Sequence, residues 1–166
     1  MPLDRIDRRI LERLQRDGRI ANADLAEFVG LSASACLRRV RTLEEAGIID
    51  RYVALLDQSK IGRRMDIFVE ISLKSQSNET LSAFEEAVAR STEIMECHLM
   101  AGDADYLLRI AAADPVDFER IHRDHLARLP GVSRMRTSFA IRAVSRNTAF
   151  SLPETGPDLP QQAKAK

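Results

Sequence analysis

The sequence predicts an α+β chain in two domains, and three observations carry that reading. Over the first fifty residues the apolar positions recur at helical spacing. From residue 65 onward, strand-like and helix-like patterns follow one another in the order β-α-β-β-α-β. Charge divides along the same line: residues 1–64 hold 13 Lys+Arg against 10 Asp+Glu, residues 65–166 hold 12 against 15, and the whole is formally neutral. A length of 166 residues at 45% hydrophobic content suffices for two small cores.

In the first domain, Leu3, Ile6, Ile10, Leu11 and Leu14 mark a helix at about 4–17, with Gly18 as its stop. Asn22 as N-cap, Leu25, Phe28 and Val29 as apolar stripe, and Gly30 beyond its end place a second helix at about 23–29. Ser32 caps a third, in which Cys36, Leu37, Val40 and Leu43 fall within about 120° of one another at about 100° per residue. Ser34, Arg38, Arg39, Arg41 and Thr42 then spread over the outward arc. Gly47 ends the helix, and Ile48 and Ile49 turn back to the core. Three short helices with a tight Gly-containing turn between the last two form a helix-turn-helix, whose third helix is the reading element. This domain is placed at 1–50. Tyr52 to Leu56 read as extended and SKIGRR (59–64) as a linker, which makes 51–64 a hinge.

In the second domain, placed at 65–150, Ile67, Val69, Ile71 and Leu73 alternate with Asp66, Phe68, Glu70 and Ser72, the period of a strand. A helix at 78–90 buries Leu81, Phe84 and Val88. Two strands, 94–101 and 104–112, flank a tight GDAD turn. Asp114 as N-cap and Pro115 at the first helical position open a helix running to about 129, stopped by Pro130-Gly131. A last strand, 132–144, puts Met135, Thr137, Phe139 and Ile141 on one face and Arg134, Arg136, Ser138 and Arg142 on the other. The order is ferredoxin-like: an antiparallel sheet with both helices on one face. Phe68 on the other face asks for a cover, most simply a second copy of the chain. Residues 151–166, rich in proline and poor in anything to bury, read as a disordered tail.

The composition also excludes. No apolar run approaches the roughly 18 residues of a membrane span, and the charged N-terminus does not resemble an export signal, so a cytoplasmic protein with no membrane partner is expected. Cys36 and Cys97 are too few and too far apart for a disulfide framework, and Cys36 reads as a core thiol. There is no GxGxxG, P-loop or HExxH, and no cofactor is called for. His122 and His125 have a spacing that can grip zinc, with Cys97 and His98 to complete a site; both also fall on the stripe of Phe118, Ile121, Leu126 and Leu129, which favours packing, and no metal is expected.

These parts, LDRIDRRILERLQRDGRI, VGLSASACLRRVRTLEEAGII, and ECHLMAGDADYLLRI followed by RLPGV and RTSFAI, resemble the Lrp/AsnC (leucine-responsive, or feast/famine) family of transcription regulators from about Leu3 to Val144. The resemblance implies an N-terminal winged helix-turn-helix, a C-terminal ferredoxin-like effector (RAM) domain, dimers or larger assemblies of dimers, and an amino-acid effector. It makes the chain a regulator rather than an enzyme. A helix fits the major groove, with its first turns at base edges and its cations at phosphates. Ser32, Ser34, Ala35, Arg38, Arg39 and Arg41 are therefore the expected contacts with double-stranded DNA. Arg38 is best placed for a guanine edge, and Arg39 and Arg41 suit phosphates.

Asp103 and Asp105 admit three readings: a catalytic carboxylate pair, turn chemistry alone, or, as the resemblance implies, one wall of an effector site between subunits. An amino acid needs an acceptor for its ammonium, donors for its carboxylate and an apolar pocket. Met100, Gly102, Asp103, Asp105 and Tyr106, with Thr137, Ser138, Phe139 and Ala140, are the residues so implicated.

Overall fold

The computed structural model describes residues 1–152. They form two compact units, one made of residues 1–55 with 145–152, the other of residues 56–144.

The first unit is helical: α1 (Arg5–Leu14), α2 (Asn22–Val29) and α3 (Ala33–Glu45) close around Ile10, Cys36 and Leu43, which are fully buried, with Leu11, Leu25, Ala26 and Val29 nearly so. Gly30 ends α2 in the left-handed region (φ +76°), which costs glycine nothing. Burial pushes the Cys36 thiol upward, so it packs as an inert apolar group. The apolar stripe of α3 is narrower than the wheel predicts. Cys36, Val40 and Leu43 hold it, while Leu37 is 40% exposed. Phe28 likewise stays outside, 46% exposed, its ring under the guanidinium groups of Arg9 and Arg13 at 5.1 and 5.8 Å. Ala21, not Asn22, is the N-cap of α2; the Asn22 amide instead donates to the Ala33 carbonyl (2.8 Å), tying the turn between α2 and α3.

Residues 51–55 are extended but carry no ladder, so no strand-built wing is present among the described residues of this unit. Residues 145–150, expected with the second domain, pack here instead. The Phe150 N–H donates to Gln15 Oε1 (2.6 Å), Gln15 Nε2 donates back to the Phe150 carbonyl (3.2 Å), and Leu152 joins the core cluster. The tail expectation at 153–166 lies outside the described residues.

The second unit runs β1 (Met65–Leu73), α4 (Asn78–Ala89), β2 (Ile94–Leu99), β3 (Tyr106–Ala112), α5 (Pro115–Asp124), one 3-10 turn (Leu126–Arg128) and β4 (Val132–Phe139). The sheet is antiparallel in the order β2-β3-β1-β4, the ferredoxin-like arrangement. β1 is central and pairs on both sides. Its alternation buries Ile67, Val69, Ile71 and Leu73 against Phe84, Val88, Ile121, Leu126 and Leu129, together with Tyr106, Leu108 and Ile110 of β3. The opposite face carries half-buried Asp66, Phe68, Glu70 and Ser72, and Arg109 lies across it between Asp66 (3.0 Å) and Glu96 (2.7 Å).

Several elements are shorter than the sequence predicts, α1 among them, which ends at Leu14. α5 stops at Asp124, leaving His125 as its C-cap with Nδ1 3.4 Å from the Ser91 hydroxyl and His122 exposed, not both packed in a stripe. β4 stops at Phe139, so Ile141 is fully exposed. The β2–β3 connection spans residues 100–105 rather than a tight turn, closed by the Met100 N–H donating to the Asp105 carbonyl (2.9 Å). No helix among the described residues is long and apolar enough to cross a membrane.

Gly131 turns the chain into β4 at φ +73°, where an added Cβ would stand 2.7 Å from Thr80 Cγ2. Gly131→Ala is expected to cost roughly 1–3 kcal/mol, the usual penalty of a strained left-handed residue, read as a lowered urea midpoint with an unchanged m-value.

Candidate nucleic-acid interface and effector residues

The Ser32 hydroxyl caps α3 by accepting from the Ala35 N–H (3.3 Å), and Ser34 Oγ lies 3.3 Å from it. The cap fixes where α3 begins, and hence which residues form its first two turns. Ser32, Ser34, Arg38 and Arg41 are exposed and Ala35 half-buried. Neither Arg38 nor Arg41 has an acidic partner among the described residues.

Arg39 departs from the outward arc expected of it. Its Nη1 donates to Asp4 Oδ2 at 2.7 Å and to Asp7 Oδ1 at 2.8 Å, which draws the side chain down to α1 and leaves it one-third exposed. The two carboxylates are themselves locked in a capping box: Asp7 N donates to Asp4 Oδ1 (2.8 Å) and Asp4 N donates to Asp7 Oδ2 (3.2 Å). Each aspartate thus uses one oxygen for the cap and the other for Arg39. Asp7 is the buried charged residue among those described. Sequence reasoning passed over both aspartates, although the D-x-x-D spacing ahead of an apolar stripe is a capping signal.

The predicted effector residues split into two groups. Asp105 belongs to the end of β1 near Leu73: its N–H donates to the Ile71 carbonyl (2.8 Å), Oδ2 accepts from the Leu73 N–H (2.7 Å) and Oδ1 from Gln76 Nε2 (2.7 Å). Met100, Gly102 and Asp103 of the same connection are exposed. Phe139 and Ala140 belong to the other end of β1, where Phe139 pairs with Ile67 and the Ala140 N–H donates to the Asp66 carbonyl (2.9 Å). Six residues of strand, about 20 Å at about 3.3 Å each, lie between Leu73 and Ile67, the partners of Asp105 and Phe139, while Thr137 and Ser138 pair with Val69 and Phe68 closer to the middle of β1. Within β4, Thr137 and Phe139 face the helices, with Phe139 edge-on to Phe118 at 5.4 Å, whereas Ser138 lies opposite Phe68 on the open face.

Tyr106 leaves the set. It is 1% exposed, its ring 4.6 Å from that of Phe84 and its hydroxyl donating to Glu85 (2.7 Å), with burial and that carboxylate pushing its acidity far down. Asp105, with both oxygens engaged in its own chain, has a structural task whatever else it does. Among the described residues no group of three or more His, Cys, Asp or Glu could hold a metal ion.

A capped, outward-facing helix after a tight turn, followed by a ferredoxin-like unit, defines a DNA-binding regulator with a ligand domain, and comparison with known proteins agrees. Residues 3–50 match the description winged helix-turn-helix DNA-binding, and residues 66–150 match the Lrp/AsnC ligand binding domain. The leucine-responsive regulatory protein of Escherichia coli K12 is 43% identical over 145 residues, covering 87% of this chain and 88% of that protein. Among solved structures, a transcriptional regulator from Neisseria meningitidis in complex with L-methionine is 33% identical with a TM-score of 0.85, covering 90% of this chain and 96% of that one. An AsnC family transcriptional regulator from Agrobacterium tumefaciens is 39% identical with a TM-score of 0.84, covering 91% and 97%. The chain belongs to the Lrp/AsnC family of transcription regulators. It is a DNA-binding transcription regulator with an Lrp/AsnC ligand binding domain, as the relatives it matches are transcription regulators.

The Asp4 carboxyl is held below its ordinary value of 3.8, first by the Asp7 N–H and then by the Arg39 guanidinium, against a desolvation effect of opposite sign. A lowered folded-state value means stability that is fully present above the ordinary carboxylate value and is lost as pH falls through the lowered one. Thermal melts of the first unit are expected to be insensitive to this group at neutral pH and to fall below pH 3.8. Asp4→Asn removes that share of the acid sensitivity, which paired melts at neutral and acid pH would read.

Proposed function

We propose that this chain is a sequence-specific cytoplasmic regulator that reads duplex DNA with Ser32, Ser34, Ala35, Arg38 and Arg41, and whose affinity or assembly an amino acid shifts by binding between subunits. One observation carries the DNA half: Arg38 and Arg41 stand exposed on the capped helix with no ion pair among the described residues, while Arg39 between them is bonded to α1. Arg38 reaches a guanine edge, where a guanidinium bonds O6 and N7 together, and Arg41 neutralises a phosphate. Two such helices related by dimer symmetry meet successive major grooves one helical turn apart.

The separation of the two residue groups along β1 supports the effector half. About 20 Å is too far for one amino acid to touch both Asp105 and the Phe139–Ala140 end of β4 in a single chain. The connection at 100–105 of one copy and the end of β4 of another can meet only in an assembly. Met100, Gly102, Asp103 and Asp105 would then line one wall and Thr137, Ser138, Phe139 and Ala140 the other. The L-methionine bound by the N. meningitidis regulator is a ligand of this chemical class. A ligand so placed acts by binding one arrangement of subunits better than another. The open sheet face with Phe68 is the surface on which a homodimer forms.

Arg38→Ala is expected to weaken binding to the duplex upstream of its own gene by about 1–3 kcal/mol while leaving binding to random DNA little changed; unchanged affinity in a gel-shift assay would remove Arg38 from the interface. Arg41→Ala should weaken binding on all sequences alike and reduce the salt slope by about one. For the effector, a thermal-shift screen against the twenty amino acids, run beside size-exclusion chromatography, should find one that moves melting temperature or oligomer size. A screen that moves neither, at saturating concentrations, ends the sensing half of the proposal.

A further inference from the structure

We propose that Arg39, Asp4 and Asp7 form a brace that sets the rotation of the reading helix, so that Arg39 serves recognition as a positioning residue from beneath α3 and not as a phosphate contact. The proposal rests on the reading that α3 enters the groove. It assigns a task to two acidic residues that no base or phosphate would attract.

The geometry states the task. Apart from the Asn22–Ala33 bond at its start and the Tyr52–Glu44 bond at its last turn, the contacts of α3 with the rest of its unit run through Cys36, Val40 and Leu43, three apolar side chains in a narrow stripe. Apolar contact is non-directional, so a stripe this narrow leaves the roll of a 13-residue helix about its own axis weakly specified. Charge-assisted hydrogen bonds are directional. Arg39 reaches two carboxylates at 2.7 and 2.8 Å, and those carboxylates are immobilised by the capping box at the first turn of α1. The link joins the middle of α3 to the start of α1, residues 32 and 35 positions apart in sequence. Because successive helical residues are about 100° apart, fixing Arg39 inward fixes the azimuth of Arg38 about 100° round the helix and of Arg41 about 60° further on the same side. Partly buried ion pairs add little net stability, since desolvation offsets attraction, but they can select one packing among several. A brace that costs little and specifies angle fits that energetic profile.

The charge of Asp7 makes the proposal testable, because Coulomb's law and the brace predict opposite signs. If the acids were bystanders, Asp7→Asn would remove a negative charge from a DNA-binding domain and tighten binding at low salt. If Arg39 touched a phosphate, Arg39→Gln would reduce the slope of log K against log salt by about one. The brace requires otherwise. Asp7→Asn and Arg39→Gln should each weaken binding to the duplex upstream of the chain's own gene by about tenfold, with unchanged salt slope and a smaller loss on random duplex of equal length. The double variant should be no worse than either single one, because both break the same link. Fluorescence anisotropy over a salt series on the full-length chain reads affinity and slope together.

Tighter or unchanged binding by Asp7→Asn overturns the proposal, as does a flattened slope for Arg39→Gln or additive losses in the double variant. Should Asp7→Asn melt below the assay temperature, Asp4→Asn, at the more exposed carboxylate, replaces it with the same expected sign. The wild-type titration on the two duplexes tests the groove reading itself. The comparison of variants with wild type tests the brace alone.

Discussion

The central position of β1 is the constraint from which the second unit follows. Its backbone is bonded on both sides, to β3 through Met65–Ile71 and to β4 through Ile67–Leu73, and its alternate side chains supply the middle of the core. A strand so held can neither slip by one residue nor shorten, since a slip would turn Ile67, Val69 and Ile71 out to the open face. Everything implicated in ligand binding hangs from its two ends. The connection at 100–105 is latched to Ile71 and Leu73 through Asp105, and the end of β4 is latched to Asp66 through the Ala140 N–H. The length of one strand therefore fixes how far apart the connection at 100–105 and the Ala140 end of β4 stand in a single chain.

The order of elements was legible because periodicity reports burial directly. The alternation from Asp66 to Leu73 can be satisfied only by a strand buried on one face, and the Ser32 and Asp114 caps announce α3 and α5 by local chemistry that needs no knowledge of the rest of the chain. The ends were less legible. β4 stops at Phe139, although its alternating pattern runs on to Arg142: past the bond from the Ala140 N–H to the Asp66 carbonyl only Met65 of β1 remains. α5 stops at Asp124, where its C-cap His125, at φ −118°, leads into the 3-10 turn.

Side-chain fate was harder still. Tyr106 sits next to Asp105 in sequence and reads as part of the same wall, yet a strand sends neighbours to opposite sides, and Tyr106 goes to the core with Phe84 and Glu85. Arg39 lies beside Arg38 on a wheel that shows only direction. The pull of Asp4 and Asp7, more than thirty residues earlier, is a tertiary fact that no window along the chain contains.

The chain has two tyrosines and no tryptophan. Tyr52 belongs to the first unit, where its hydroxyl donates to Glu44 (3.0 Å) and its acidity is pushed to about 12 by burial and that carboxylate; Tyr106 belongs to the second. Each unit therefore carries one tyrosine whose hydroxyl is bonded to a carboxylate in the folded state, a bond that unfolding breaks. Silencing either with phenylalanine leaves an emission signal that reports on a single unit, so the order in which the two come apart is open to direct optical observation without any added label.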